Sequence, residues 1–305
     1  MRGTLAVCLL AAMLTVTGAG CGGGGGQTIL TDGSSTVAPF TTRAAENFQG
    51  ENPDVNVTVG ISGTGGGFER FCAGETDLSN ASRSIEADEE TLCADAGIEY
   101  VELPVANDAL TVVVNPQNDW VPCLTVAQLR TIWAPSSTVA SWRDVDPSFP
   151  DEPLRLYGPG TDSGTFDYFT GAIVGEEGES RADYQASEDD NVTVEGVSGD
   201  KGALGYFGFS YFEQNQDRMK ALEVDGGGGC VAPSVETAQD GTYAPLSRPL
   251  FVYAKTSSLE RSEVADFLRY MIDNGAEIAE QAEFVPLTFA QLDDAKARLD
   301  EALNI

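Results

Sequence analysis

The sequence predicts an α/β fold of two lobes joined by two crossing connections. The first part of the chain alternates short apolar segments with helical patterns, and this βαβα order is typical of a mostly parallel sheet covered by helices. A second such series follows the apolar segment at 109–114. The last two helical patterns, after Ser247, need a sheet to pack on. We therefore expect them to return to the first unit, with crossings near Asn115 and Ser247.

The individual elements follow from periodicity and from turn residues. Strands are predicted at 28–31, 55–61, 109–114, 154–157 and 248–253. Helices are predicted at 37–48, 67–73, 125–133, 165–173, 258–274 and 289–303, with loops at 144–153 and 226–229. The acidic stretches 176–180 and 188–190 are expected to be solvated. The expected division is lobe 1 at 28–114 plus 248–305 and lobe 2 at 115–247.

The N-terminus has the features of an export signal. Arg2 precedes an apolar stretch at 5–16 that is too short for a confident membrane span, and small residues follow it. Cys21 then stands before five glycines, and a cysteine at this junction resembles the bacterial lipoprotein signal. We expect a signal peptide at 1–20, then a lipidated Cys21 and a flexible tether at 21–27, which would anchor the protein to the outer face of the cell membrane. The alternative is an ordinary secretory signal with an incidental cysteine.

Four cysteines remain beyond the leader: Cys72, Cys93, Cys123 and Cys230. An even number in an exported protein indicates two disulfides, for which three connectivities exist. We favour Cys72–Cys93 with Cys123–Cys230, because each bond would then lie within one lobe. A zinc site is the weaker alternative, since the chain has no CxxC spacing and no histidine. No metal is expected.

The formal net charge is −31. Such acidity excludes nucleic acid as a partner and argues against docking on an anionic membrane surface, because no basic stripe is present. We interpret it as a solvated acidic coat. A docking face for a basic partner is the alternative.

Three segments share one design, in which a strand is followed by a turn of Gly, Ser and Thr and then by a helix. They are residues 31–36 (with Ser34, Ser35 and Thr36), 60–67 (with Ser62, Gly63 and Thr64) and 158–165 (with Ser163, Gly164 and Thr165). Free backbone N–H groups and the helix dipole favour an anion at such a helix start. A helix cap explains any one of these segments, but three of them, each after a strand, predict an oxyanion site. The GxxxxGK[ST] and GxGxxG patterns of nucleotide sites are absent from these segments.

The segments DGSSTVAPF, GISGTGGGFERFCAGETDLSNASRSI, TDSGTFDYF, GALGYFGFSYF and PLSRPLFVY resemble the phosphate-binding proteins of phosphate-specific ABC transporters. The match runs in family order from about residue 28 to the C-terminus. It implies a type II periplasmic-binding fold, capture of inorganic phosphate and delivery to membrane permease subunits. We also expect a monomer without a cofactor. The residues that match the family's donor turns are Ser35, Thr36, Ser62, Gly63, Thr64, Ser163, Gly164 and Thr165.

The chain departs from the better-known branch of that family at two places. Arg83 stands where an aspartate is expected, and Gly158-Pro159 stands where an arginine is expected. Asp162 instead precedes Ser163. We hypothesise that the roles are exchanged across the cleft, with Arg83 supplying the positive charge and Asp162 the hydrogen-bond acceptor.

An acceptor carboxylate matters because phosphate near neutral pH carries a proton and sulfate carries none. A site built around that hydrogen bond can reject the unprotonated analogue by roughly 10⁴-fold. The alternatives are a helix cap at Asp162 and a surface ion pair of Arg83 with Glu86 or Glu69. Asp77 and Asp167 are alternative acceptors.

An enzyme is the main rival class of function, and we do not expect one. Without histidine no Ser-His-Asp triad exists, and no SxxK arrangement accompanies the serines of the three turns. The other rivals are a binder of sulfate, molybdate or a phosphorylated metabolite, and a sensing or adhesion module with the same fold.

Overall fold

The computed structural model describes residues 27–161 and 163–304. The strands are β1 (Gln27–Gly33), β2 (Val55–Val59), β3 (Leu78–Ala81), β4 (Tyr100–Val114), β5 (Cys123–Thr125), β6 (Arg155–Gly158), β7 (Gln185–Ala186), β8 (Ala203–Gly208), β9 (Lys220–Ala221), β10 (Glu223–Asp225), β11 (Cys230–Val231) and β12 (Ser247–Lys255). The α-helices are α1 (Ala38–Glu51), α2 (Gly63–Cys72), α3 (Ala87–Asp95), α4 (Val126–Trp133), α5 (Trp142–Val145), α6 (Gly164–Phe169), α7 (Asp190–Gly199), α8 (Phe209–Gln214), α9 (Val235–Gln239), α10 (Ser262–Asp273), α11 (Gly275–Gln281) and α12 (Phe289–Ala302). A π-helical turn spans Thr170–Val174 and a 3₁₀ turn spans Thr256–Glu260.

The expected signal peptide, the lipidation site Cys21 and the tether up to residue 26 lie outside the described residues. Within the part that the structure describes, no helix combines the length and the apolar character that crossing a membrane requires.

The main sheet has the strand order β2-β1-β3-β12-β4-β8-β6-β7, with β9 paired to β4. Strand β1 runs parallel to β2 and β3, and β6 runs parallel to β7 and β8. The sheet is mixed rather than mostly parallel, because β4 and β12 run antiparallel to their neighbours. The small sheet β11-β10-β5 packs beside it.

Strand β4 passes from one lobe to the other. Up to Ala109 it pairs with β12, and from Leu110 onward it pairs with β8. Most of the buried apolar side chains divide at the same place. One core is built from residues 29–106 and 250–299, and another is built from residues 110–246. The α/β two-lobe fold class is therefore confirmed, whereas the lobe bounds by residue number stay a prediction.

Strand β4 is nine residues longer at its start than the segment predicted at 109–114. Pro104, Asn107 and Asp108 interrupt its apolar pattern, so periodicity alone does not reveal it. Both polar side chains have partners elsewhere in the fold. The amide of Asn107 donates a hydrogen bond to Gln291, and Asp108 forms an ion pair with Arg248. Contacts with distant parts of the chain therefore outweigh the low strand propensity of these residues.

Helix α2 begins at Gly63, four residues before the helix predicted at 67–73, so the glycine run lies inside it. Close packing explains the small residues. A Cβ atom on Gly67 would lie 2.5 Å from the Cα of Gly33 and 2.9 Å from Oγ of Ser79. A side chain there would push α2 away from β1 and β3, and the helix start would move with it.

Both predicted disulfides are present. Cys72 at the end of α2 is bonded to Cys93 in α3, and Cys123 in β5 is bonded to Cys230 in β11. The first bond ties together the two helices on either side of Arg83. The second closes the small sheet of the other lobe.

Candidate functional site

The three Gly/Ser/Thr turns meet in the cleft between the lobes. Two adjoining cavities, of about 370 and 260 Å³, occupy this cleft and share Ser35 and Thr36. The predicted residues that line one or both cavities are Ser34, Ser35, Thr36, Gly63, Thr64, Arg83, Ser163, Gly164 and Thr165. The second turn lines the smaller cavity, the third turn lines the larger one, and the first turn lines both.

The first turn, before α1, is fixed from behind by β3. The backbone N–H of Ser34 donates to the carbonyl of Asn80 (2.9 Å), and Ser34 is buried. The hydroxyl oxygen of Thr36 accepts a hydrogen bond from Nη2 of Arg248 (2.9 Å). The first turn thus contacts the positively charged guanidinium of Arg248 through Thr36.

The second turn is held by Asp32. One carboxylate oxygen of Asp32 accepts from the N–H of Gly33 (2.7 Å) and from the hydroxyl of Ser62 (2.8 Å), and the other pairs with Arg70. Ser62 lines neither cavity and is committed to Asp32, so its predicted ligand contact has no geometric support. Thr64, two residues further on, lines the smaller cavity, and its hydroxyl lies 3.0 Å from that of Ser82.

The third turn, before α6, belongs to the other lobe. Its Ser163 hydroxyl caps the helix by accepting from the N–H of Thr165 (3.2 Å). Gly164 packs so close to the first turn that an added Cβ would lie 3.2 Å from the N, Cα and Oγ1 atoms of Thr36. The two lobes are therefore in contact at the cleft. Asp162, the predicted acceptor, lies outside the described residues and stays a prediction.

Arg248 supplies positive charge at the wall of the smaller cavity. It lies opposite Asp108 in the register of β12 and β4, and its Nε is 3.3 Å from the buried carboxylate of Asp108. Its guanidinium carbon lies 3.5 Å from the ring centroid of Tyr168. Burial raises the pKa of Asp108, and the nearby charge of Arg248 opposes that rise. The pair, the ring and Thr36 hold the guanidinium at the wall of the smaller cavity.

Arg83 also lines the smaller cavity, but two carboxylates already hold its guanidinium. Glu89 accepts from Nη1 (2.7 Å) and Nη2 (2.8 Å), and Glu86 lies 3.2 Å from Nε. Of the ion pairs weighed from the sequence, the one with Glu86 is present, while Glu89 was not considered. The role of Arg83 as the ligand's cation stays a prediction.

The two alternative acceptors lie in different places. Asp77 precedes β3, and its carboxylate accepts hydrogen bonds from the N–H of Leu30, from Ser258 and from Arg261. All three partners belong to lobe 1, so Asp77 holds elements of that lobe together. Asp167 lines the smaller cavity near Arg248. Burial raises the pKa of Asp167, and the charge of Arg248 opposes that rise. Asp167 and Glu177 are the described carboxylates that line this smaller cavity.

Sequence reasoning missed Arg248 and its partner Asp108. The segment PLSRPLFVY was recognised as part of the resemblance, but Arg248 was read only as the start of a strand. Its signal was a charged residue in an apolar strand beside the predicted crossing at Ser247. Of the acidic stretch 188–190, Glu188 and Asp189 are exposed as predicted, whereas Asp190 is half-buried and lines the larger cavity.

The chain is similar to known proteins over most of its length. The family model described as a PBP superfamily domain matches residues 20–274. Protein SphX of Synechococcus elongatus is 49% identical over 262 residues, covering 85% of this chain and 77% of its own. The phosphate-binding protein PstS of Staphylococcus saprophyticus is 39% identical over 293 residues, covering 93% of this chain and 90% of its own.

Among solved structures, a possible phosphate binding protein from Planctomyces limnophilus superposes with a TM-score of 0.87. It is 45% identical, and the match covers 90% of this chain and 98% of that one. Both sequence matches span most of the two chains compared, and the structural match includes both lobes. The chain therefore belongs to the PBP superfamily and, within it, to the family of the phosphate-binding protein PstS and protein SphX.

Proposed function

We propose that this protein binds inorganic phosphate in the cleft between its lobes and delivers it to an ABC transporter. The observation that supports this most is the meeting of three helix-start turns and one fixed guanidinium on a single pair of cavities. Backbone N–H groups, hydroxyls and Arg248 are donors, which suits a ligand that consists of acceptor oxygens. The names of the relatives and the resemblance of the turn segments point to the same ligand.

The overall acidity of the chain does not oppose anion binding at this site. Oriented N–H groups and the guanidinium act at contact distance, whereas charges on the outer surface are screened beyond roughly 10 Å in ordinary salt. The acidity should slow the encounter with phosphate at low salt, and the slowing should fade as salt rises.

Capture follows from closure of the two lobes. Thr36 and Thr64 lie on one lobe, and Gly164 and Thr165 lie on the other, so only the closed form offers all of these donors to one ligand. The ligand therefore stabilises the closed form. The chain acts as a binding protein and not as an enzyme in this proposal. A monomer, exported and lipidated at Cys21, would present the closed form to the permease subunits.

The direct test is calorimetric titration of the purified protein, stripped of carried-over ligand, with phosphate, sulfate and molybdate. We expect tight binding of phosphate and little response to the other two. Tight binding of sulfate or molybdate in preference to phosphate would assign the cleft to another oxyanion. A folded protein that binds none of the three would contradict the proposal.

A carboxylate acceptor should set the preference for phosphate over sulfate. We propose Asp167 for this role beside the predicted Asp162, because Asp167 faces the smaller cavity close to Arg248. The Asp167→Asn variant replaces a charged acceptor by a neutral amide that can also donate, so sulfate no longer meets a like charge. We expect the phosphate-to-sulfate affinity ratio to fall by at least about tenfold.

The matched experiment is Asp162→Asn, titrated in the same way. A loss of selectivity in one variant and not in the other identifies the acceptor. An unchanged ratio in the Asp167→Asn protein would remove Asp167 from this role.

A further inference from the structure

Two acidic residues from opposite lobes line the larger cavity beside the proposed phosphate site. Asp190 is the first residue of α7, and Glu283 follows α11 on the other lobe. Both line the larger cavity, and Thr165 of the third donor turn lines it as well. This acid pair is adjacent to the ligand cage, and it is divided between the lobes in the same way as the donors.

The surroundings of Asp190 are strongly acidic. Glu188 and Asp189 precede it, Glu283 faces it from the other lobe, and Tyr211 of α8 is the neighbouring phenol. The carboxylate of Asp189 is engaged as the helix cap and accepts from the N–H of Asn191 (3.0 Å). The start of α7 favours the ionised form of Asp190 through the helix dipole.

The cations in this region are committed elsewhere. Arg218, which acts on Tyr211, pairs with Glu195 at 2.9 Å. Arg248, the cation nearest to Asp108 of the same cavity, is paired with that residue. Asp190 is thus half-buried near the like charge of exposed Glu283, and both the burial and that charge disfavour the ionised form of Asp190.

We propose that closure of the cleft places a proton on Asp190, so that phosphate capture is coupled to proton uptake. The inference rests on the proposed function, since it concerns the regulation of the same cleft. Opening the lobes would separate Asp190 from Glu283 and return it to water. Closing them would bring back both the burial and the repulsion, which a proton on Asp190 relieves.

The sign of the effect follows from the two states of Asp190. In the closed structure, burial is the main cause and Glu283 the next that raise the pKa of Asp190 from 3.8 to about 6. In an open form exposed to water, the ordinary value near 4 would apply. The favourable contribution to closure is therefore fully present below about pH 4 and is lost as the pH rises through about 6. Above about pH 6, closure must bring together the ionised carboxylates of Asp190 and Glu283.

Proton uptake is the quantity to measure. Phosphate is titrated calorimetrically into the purified protein at pH 5.5 in buffers of different ionisation enthalpy, which gives the number of protons bound with the ligand. We expect wild type to take up about half a proton or more beyond what Asp190→Asn takes up. Phosphate's own titration contributes equally to both proteins, so the difference isolates Asp190.

The affinity should show the same linkage. Between pH 5 and pH 7.5, phosphate binding by wild type should weaken by up to about tenfold more than binding by Asp190→Asn, because a pKa raised to about 6 gives about that factor over this range of pH and partial exposure of Asp190 lowers it. Glu283→Gln removes the facing charge only. It should move the wild-type pH dependence to lower pH without abolishing it. The matched control is Asp266→Asn, an exposed carboxylate of lobe 1, which should behave as wild type.

The outcomes separate this inference from the proposed function. Equal proton uptake and equal pH dependence in wild type, Asp190→Asn and Glu283→Gln, with phosphate bound by all three, would overturn the coupling and leave the phosphate site intact. A folded wild-type protein that binds no phosphate at any pH would overturn both. If Asp190→Asn does not fold, Asp190→Ser takes its place in the same titrations, because burial rather than Glu283 is the main cause that raises the pKa of Asp190.

Discussion

Replacing Arg248 by glutamine should weaken phosphate binding by about 100-fold or more. The guanidinium lines the smaller cavity and donates to Thr36, so its loss removes the fixed positive charge of the site. Truncating one partner of a buried hydrogen-bonded charge pair commonly costs about 2–5 kcal/mol of binding, which is about 30-fold to several thousand-fold. Calorimetric titration with phosphate measures the change in Kd.

Stability requires its own control, because Arg248 is also the partner of buried Asp108. Breaking such a pair costs roughly 3–5 kcal/mol of folding free energy. The double variant Arg248→Gln/Asp108→Asn removes both charges. It should melt at a higher temperature than Arg248→Gln and bind phosphate as weakly as Arg248→Gln does. Arg269→Gln, which breaks an exposed ion pair with Asp266, should leave the Kd unchanged. A Kd within threefold of wild type in a folded Arg248→Gln protein would contradict the assignment of Arg248.

Gly164→Val should abolish tight phosphate binding with little loss of fold stability. A Cβ atom at Gly164 already approaches the backbone of Thr36 to 3.2 Å, and the two further methyl groups of valine leave the lobes no room to meet. The clash exists only in the closed form, so the protein can relieve it by staying open. We expect Kd to rise by about 100-fold or more, since the donors of the two lobes then no longer reach one ligand together.

The matched control is Gly50→Val in α1, where an added Cβ has no atom within 4 Å. It carries the same helix-propensity cost without touching the cleft. Small-angle scattering with saturating phosphate would show whether Gly164→Val remains more extended than wild type. A Gly164→Val protein that closes and binds as wild type does would show that the lobes need not approach as closely as they do here.

Much of the fold could be predicted from the sequence, because its main signals are local. The strands that precede the donor turns at Ser34, Gly63 and Ser163 alternate or run apolar, and glycine and serine mark their ends. The two disulfides followed from cysteine number and from the idea of two lobes. The long β4 did not follow, since the reasons for its buried Asn107 and Asp108 lie on strands and helices far along the chain.

The site was predictable where the backbone itself supplies the chemistry. Helix starts with small polar residues are visible in the sequence, and seven of the eight family-matched residues line the cleft, Ser62 being the other. Charged side chains were harder to assign. Arg83 lies within a recognised segment yet is held by Glu89, while Arg248 was read only as a strand residue until its cross-strand partner was seen. Which charge faces a ligand depends on pairing across the fold, and one sequence does not show it.

The position of Arg248 and Asp108 has a mechanical consequence. The two residues lie opposite each other on β12 and β4, the strands that join the lobes. When two bodies rotate about a joint, points near the pivot move least. Arg248 is therefore expected to move little when the lobes open, so an open form should present the guanidinium at nearly the same place as the closed form. Phosphate can contact this guanidinium before closure, and closure then brings the donors of the other lobe to the bound ligand.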